Sequence, residues 1–360
     1  SAVVAFMAEA SSSAVNSCAI GFDDSRLDET SYAEVIARRF ATDHRTRIVA
    51  SDDFAIADIV AAHCDEPFAD ASALPTYRVS QLAREEVTVA LSGDGADEAF
   101  AGYRRLVFQH QEERARRFLP GTLRRGVLGP LSRVWPQMDW APRPLRAKAT
   151  LTGLARSGEE AYALSVGVTG PDMRSRLYTD ATRAALAGYA AEERWWSAMR
   201  GAPACEPLDR AQYADMKIAL PGDILTKVDR MSMAVSLEAR EPLLDHHLVA
   251  FAASLPAHMR VRGSIGKWLM KKALERSLPR DILYRPKMGF VTPISTWFRA
   301  GLAAQARALG ASPTLARTGW FDMNAVAALV AAHQSGASDH GRQIWQFFML
   351  EKSLQRLFGI

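Results

Sequence analysis

Val87-Thr88-Val89-Ala90-Leu91-Ser92-Gly93-Asp94-Gly95-Ala96-Asp97-Glu98, continuing through Phe100 and Gly102 to Tyr103, is the stretch around which this chain is organised. A short β-branched, apolar run stops at Ser-Gly-Asp-Gly, and an acidic pair follows at once. That is how a buried parallel strand ends in a loop at its carboxyl edge, where open α/β sheets place their ligands. Gly93 and Gly95 let the backbone approach a ligand or take positive φ. Ser92 and the exposed amides can donate to phosphate oxygens, and Asp94, Asp97 and Glu98 can hold a hard cation such as Mg²⁺. The plainer alternative is a solvated Asp/Gly turn that closes a strand.

Working outward, two more strands precede this one. Val15–Phe22 (V-N-S-C-A-I-G-F) is a buried run that ends at Gly21, and His44–Val49 gives a further strand. The acids Asp23, Asp24, Asp28 and Glu29 lie between the first strand and a helix near Tyr32–Phe40. They lack the glycine and terminal glutamate of an EF-hand and suit a helix N-terminus. A helix runs from Asp52 through His63, with His63 and Cys64 as packing residues. Glu66-Pro67 through Pro75 reads as a loop and helix start. Strands alternating with helices at this spacing predict a doubly wound parallel sheet. The chain opens on an apolar helix, Ala2–Ala10, with neither cap nor preceding strand.

After Tyr103 the β signal disappears. Arg104–Phe118, Gly121–Val134, Ala147–Ala155, Glu159–Val166 and Asp180–Tyr189 read as helices separated by Pro/Gly turns, and Gly201–Pro207 as a linker. Two later stretches carry charge in an apolar setting. The first runs Leu220-Pro221-Gly222-Asp223-Ile224-Leu225-Thr226-Lys227-Val228-Asp229-Arg230-Met231 and on to Glu238-Ala239-Arg240-Glu241-Pro242. Lys227 and Arg230, three apart, share a helix face with room for an anionic substrate. The alternative is an ion-pair network of Asp229, Arg230, Glu238 and Arg240. The second is Gly263-Ser264-Ile265-Gly266-Lys267-Trp268. There a glycine turn opens a helix whose first turn carries Lys267, and its amides and ammonium could neutralise a pyrophosphate. The P-loop spacing is absent. The C-terminal Trp345–Leu357 reads as amphipathic scaffold helix.

Composition bounds the class. The 360 residues suffice for one large domain or two, and 48% hydrophobic with 23% charged residues is ordinary for a globular protein. The longest apolar runs are too short and too interrupted for a membrane helix or secretory signal. Cys18, Cys64 and Cys205 are dispersed and odd in number, as for reduced thiols in a cytoplasmic protein. The net charge is +4, but Arg104–Lys148 carries eleven Lys/Arg against Glu112, Glu113 and Asp139. That segment lacks the interleaved aromatics of a single-strand binding groove, so nucleic acid is not the expected partner.

Leu91–Arg105 (LSGDGADEAFAGYRR), Lys227-Val-Asp-Arg-Met-Ser-Met, Glu238-Ala-Arg-Glu-Pro-Leu-Leu-Asp and Arg285-Pro-Lys-Met-Gly-Phe together resemble the asparagine synthetase family. The resemblance covers Ser1 to about Phe298 and is weakest over 106–210. It implies a synthetase domain of the ATP pyrophosphatase (adenine nucleotide alpha hydrolase-like) α/β type over 1–360. Residues 1–103 would form the nucleotide-binding part and 104–360 the mainly helical part that completes the site. The implied chemistry uses ATP and Mg²⁺ to adenylate a small-molecule carboxylate, aspartate or a related acid, with ammonia from a glutamine-hydrolysing domain forming the amide.

By the same resemblance Ile20 and Gly21 contact adenine, and Ser92, Gly93 and Gly95 the rest of the nucleotide. Asp97 holds Mg²⁺, Lys267 contacts pyrophosphate, Asp94 sits by the acyl-adenylate, and Lys227, Asp229 and Arg230 bind substrate. Asp94 stands where β-lactam-forming relatives carry tyrosine, which argues against cyclisation. Trp135–Pro142 is similar to the exosortase-linked branch, whose acceptor would be a sugar acid. A homodimer is compatible with the family. The family's Ser-Gly-Gly-x-Asp-Ser phosphate loop would fall just before Ser1, so the polypeptide as numbered is expected to bind ATP–Mg²⁺ weakly and to be inactive. A tRNA-modifying relative on the same fold and a non-catalytic relative are the rival readings.

Overall fold

Two parallel strand pairs carry the amino-terminal half, in a computed structural model that describes residues 1–135, 147–286 and 288–359. Helix α1 (Ala2–Ala10) leads into β1 (Asn16–Phe22), α2 (Thr30–Phe40) and β2 (Asp43–Val49). β1 and β2 pair in parallel from Asn16–Asp43 to Phe22–Val49. A 3₁₀ turn over Ser51–Ile56 and helix α3 (Ala57–His63) follow, then α4 (Ala73–Arg84) and the three-residue β3 (Val89–Leu91). The α5 turn (Ala96–Ala99) and α6 (Arg104–Phe118) complete this half.

β3 departs from expectation twice. Its partner is β4 (Glu238–Arg240), parallel, with Val89 opposite Glu238 and Leu91 opposite Arg240. A strand therefore appears well past Tyr103. Its pattern, Glu-Ala-Arg, has no apolar face, and its pairing is set by the neighbour it meets. Nor is β3 buried: Val89 and Leu91 keep 39% and 38% of their surface exposed. Among the described residues the strands form two separate two-stranded sheets.

The core explains how a distant C-terminus serves this half. Phe54, from the 3₁₀ turn, packs on Phe298, Trp345 and Phe348 with ring centroids 5.6, 5.9 and 4.7 Å away. Trp345 and Phe348 lie on the helix Gly341–Phe358, whose one face carries Ile344, Trp345, Phe348 and Met349 into the core. A second cluster, with Leu106, Tyr162, Met199, Leu208 and Val261, fills the helical part.

Much of the basic segment is committed to that helical part. Arg116 is paired with Glu112 and Glu113 at 2.9 and 2.7 Å. Arg124 donates to the Leu154 and Arg156 carbonyls. Arg105 reaches Asp215 at 3.0 Å and Tyr162 at 3.1 Å. The Trp135–Pro142 stretch lies, beyond Trp135, outside the described residues, as does Lys287. No described helix is long and apolar enough to cross a membrane.

Candidate active site

At the carboxyl end of β3 the backbone and side chains close a tight loop. Ser92 donates its amide to the Arg240 carbonyl at 2.8 Å, the last bond of the strand pair. Its hydroxyl donates to Asp94 Oδ2 at 2.8 Å and accepts the Asp94 amide at 3.2 Å. A Cβ at Gly93 would meet nothing within 4 Å, whereas one at Gly95 would collide with Leu244. Gly95 also has φ +94°, so the chain requires glycine there for its own sake. Gly93 leaves open space instead.

The loop's acids divide. Asp97 Oδ1 lies 3.0 Å from Lys267 Nζ, with only 17% and 21% of the two side chains exposed. Gly102 makes this possible, because a Cβ there would strike Asp97 and come 2.9 Å from Lys267 Cδ. Gly266 likewise presses on the Ala101 carbonyl, and the Lys267 amide donates to the Phe100 carbonyl at 3.1 Å. Lys267 is the N-cap of the helix Trp268–Leu274, in left-handed backbone at φ +53°.

Glu98 turns the other way. It is 2% exposed and accepts the Tyr103 hydroxyl. Burial pushes the Glu98 carboxyl above its usual range, and Tyr103 rises likewise through burial and the Glu98 charge. Glu98 is thus a buried anchor of the loop.

Lys227 and Arg230 do not form the open pair that their spacing suggests. Lys227, 12% exposed, donates to Asp70 Oδ2 at 2.9 Å and Ser72 Oγ at 2.8 Å. Burial opposes its charge, but Asp70 holds its pKa above the usual lysine value. Burial likewise opposes the Asp70 carboxylate, and Lys227 keeps it below the usual range. Asp223 is pushed up to about 6, by burial first and then by Asp70.

Arg230 instead faces outward to Asp65 at 2.5 Å and Asp229 at 3.2 Å. Arg240 and Glu238 form a separate exposed pair at 2.7 Å. The network imagined among these four residues is thus two unconnected pairs. Upstream of Lys227, Asp215–Leu225 is a wide π-helix that contains Pro221, a geometry that frees backbone groups.

A cavity of about 300 Å³ opens beside the end of β1, lined by Ile20, Phe22, Glu29, Tyr32, Arg285 and Phe290 among others. Ile20 belongs to it. Gly21 does not, because it lies under Ile48, Asp28 and Thr30, each within 2.7 Å of any added Cβ. Arg285 pairs with Glu29 and sits 4.6 Å over the Tyr32 ring, which brings two segments distant in sequence to the cavity wall. Ser1 lines the same cavity. Among the described residues no three His, Cys, Asp or Glu side chains gather as a preformed metal centre.

Three site residues carried no clear sequence signal. Asp70 and Ser72 are noticeable only as polar residues in a loop before a helix. Gln212, which donates to the Glu98 and Ala99 carbonyls from the helix Pro207–Ala214, sits where nothing local marks it. Its role, like that of Glu29 opposite Arg285, depends on contacts across the fold.

The sequence profile of the family described as asparagine synthase matches residues 1–355. A putative asparagine synthetase [glutamine-hydrolyzing] of Mycobacterium tuberculosis is 34% identical over 344 residues, which are 92% of this chain and 49% of that protein. Asparagine synthetase [glutamine-hydrolyzing] 1 of Bacillus subtilis is 28% identical over 352 residues, 93% of this chain and 51% of that protein. A putative asparagine synthetase 2 of Methanocaldococcus jannaschii is 44% identical over 92 residues, 25% of this chain and 18% of that protein. The chain spans about half the length of the first two relatives. With a profile that covers all but its last few residues, the chain belongs to the asparagine synthase family.

Proposed function

We propose that this chain is the synthetase domain of a glutamine-dependent amidotransferase. In this reading the two strand pairs belong to one doubly wound, ATP pyrophosphatase-type sheet, with the nucleotide lying across its carboxyl ends. A carboxylate oxygen of the substrate attacks the α-phosphorus of ATP and pyrophosphate leaves. Ammonia, delivered from a glutamine-hydrolysing domain, then attacks the acyl carbon and AMP leaves. The substrate is aspartate or a related acid.

The observation that carries this reading is the Asp97–Lys267 pair, held at 3.0 Å between glycine walls. A carboxylate and an ammonium in one partly buried place can meet a metal-bound polyphosphate from both sides. Mg²⁺ is commonly held by one or two carboxylates together with substrate phosphates, so Asp97 alone fits the part. The metal would neutralise phosphate charge, and Asp97 would supply it an oxygen. Lys267 would stabilise the departing pyrophosphate. The Ile20 cavity would take the base, and the Ser92–Gly95 loop would lie along the nucleotide with Asp94 near the acyl group. Lys227 and Asp70 would shape the acid's side of the cleft, with Asp229 and Arg230 at its outer rim.

Carboxylate-dependent ATP–pyrophosphate exchange by the full-length protein is the test. Asp97→Asn should nearly abolish exchange at unchanged melting temperature. Exchange near the unmodified rate in that variant would sink the assignment.

A further inference from the structure

Gln212 lies in the helix Pro207–Ala214, only 4% exposed, and both ends of its side-chain amide are engaged. Nε2 donates to the carbonyls of Glu98 at 2.6 Å and Ala99 at 3.1 Å. Oε1 accepts from the Arg260 guanidinium at 2.5 Å. A guanidinium only donates, so the amide has one possible orientation. Arg260 is itself 2% exposed and is paired with Asp209 on the same helix as Gln212.

The two segments so joined both end at the site. Glu98 and Ala99 directly follow Asp97 in the α5 turn. From Arg260 the chain passes through the antiparallel bridge Arg262–Ile265 to Gly266 and Lys267. We propose that Gln212 is a positioning residue, a buried bolt that sets the separation of the Asp97 carboxylate and the Lys267 ammonium. This rests on the reading that the pair acts on a nucleoside triphosphate. A neutral amide suits the place because it offers donors to two carbonyls and an acceptor to a cation. Glutamate would keep Arg260 but lose the donors, and methionine would satisfy neither side.

The variant Gln212→Glu in the full-length protein tests this. Misplacing reacting groups by about 1 Å can cost on the order of a hundredfold in rate. ATP–pyrophosphate exchange should fall about 10- to 100-fold in kcat, with the KM for ATP within about twofold. Hydrogen exchange should accelerate in peptides spanning 96–103 and 266–271 and not in the rest of the chain. Asp209→Asn, which leaves Arg260 its bond to Gln212, should act in the same direction by about threefold, and it serves if Gln212→Glu does not fold. Unchanged turnover, or a loss of activity accompanied by uniform loss of protection throughout, overturns the proposal. Should the unmodified protein show no exchange, the proposed function falls, and hydrogen exchange alone decides Gln212. Loosening confined to both segments upholds the bolt, and unaltered protection there refutes it.

Discussion

Two lysine–aspartate pairs of nearly equal length, Lys267–Asp97 at 3.0 Å and Lys227–Asp70 at 2.9 Å, sit in different surroundings. Lys267 stands at a helix start in left-handed backbone, walled by glycines, and reaches across to a turn. Lys227 lies in the helix Thr226–Met233, donates a second bond to Ser72, and feels the charges of Asp223 and Asp94 as well. The first pair is built by backbone that approaches closely. The second is built by side chains that neutralise one another. A short ion pair is thus not by itself a sign of function, and the backbone around it tells more.

That contrast can be broken most sharply at the lysines. Lys267→Ala should lower turnover about 10²- to 10³-fold, the usual cost of about 2.7–4 kcal/mol for one preorganised contact, with little change in melting temperature. Lys227→Met should act first on stability. It strands Asp70 and Asp223 in a poorly solvated place, so stability should drop by about 2–3 kcal/mol in a urea titration. If the two variants behave alike, the distinction between the pairs fails.

The glycines sharpen it next. Gly102→Ala puts a methyl against Asp97 and Lys267, and should cut turnover by roughly tenfold by parting the pair. Gly93→Ala, in open space, should leave the melting temperature unchanged. A rise in the KM for ATP in Gly93→Ala would then report nucleotide contact at that position.

A smaller effect concerns pH. Asp223, at about 6, has a pKa raised above its unfolded value, chiefly by burial. The native state then binds more protons than the unfolded chain between about pH 4 and 6. Stability from this group is full below the unfolded value and is lost as pH rises through about 6. Because the site is partly solvated, the loss should be about 1 kcal/mol. Asp223→Asn should abolish that slope in melting curves recorded across the window, while Lys227, Arg105 and Arg342 stay charged. The least effect belongs to Asp65→Asn, which opens the exposed Arg230 pair and should leave the melting temperature where it was.

β1 was legible as a largely apolar run, and β2 as a short stretch whose β-branched residues, Thr46, Ile48 and Val49, end buried at Val49. The helix Arg104–Phe118 begins and ends where its periodicity does. β4 was not legible, because Glu-Ala-Arg has no pattern of its own and becomes a strand only beside Val89–Leu91. The site divides in the same way. Asp97 and Lys267 lie in glycine-rich stretches whose composition announces close approach. The acid Glu98 looks like its neighbour in sequence, but the helical turn sends it to the opposite side and into the core. Lys227 and Arg230 have the spacing of one helix face, yet Lys227 turns inward to Asp70 and Arg230 outward to Asp65, carboxylates that spacing says nothing of.

The pairing of β3 with β4 also bears on the order in which the molecule assembles. β1 finds β2 across one short helix, with Asn16 opposite Asp43, whereas Val89 must wait for Glu238. Contacts between such distant residues form slowly, because a long loop has to close first. A chain emerging from the ribosome could pair β1 with β2 while the Ser92–Glu98 loop still lacked the strand, and the Gln212 side chain, that shape it, but the core beneath that pair closes only when Phe298, Trp345 and Phe348 arrive. Under mild denaturation the same loop should be the first to let go. Catalytic competence would then be gained last and lost first, while most of the protein remained folded.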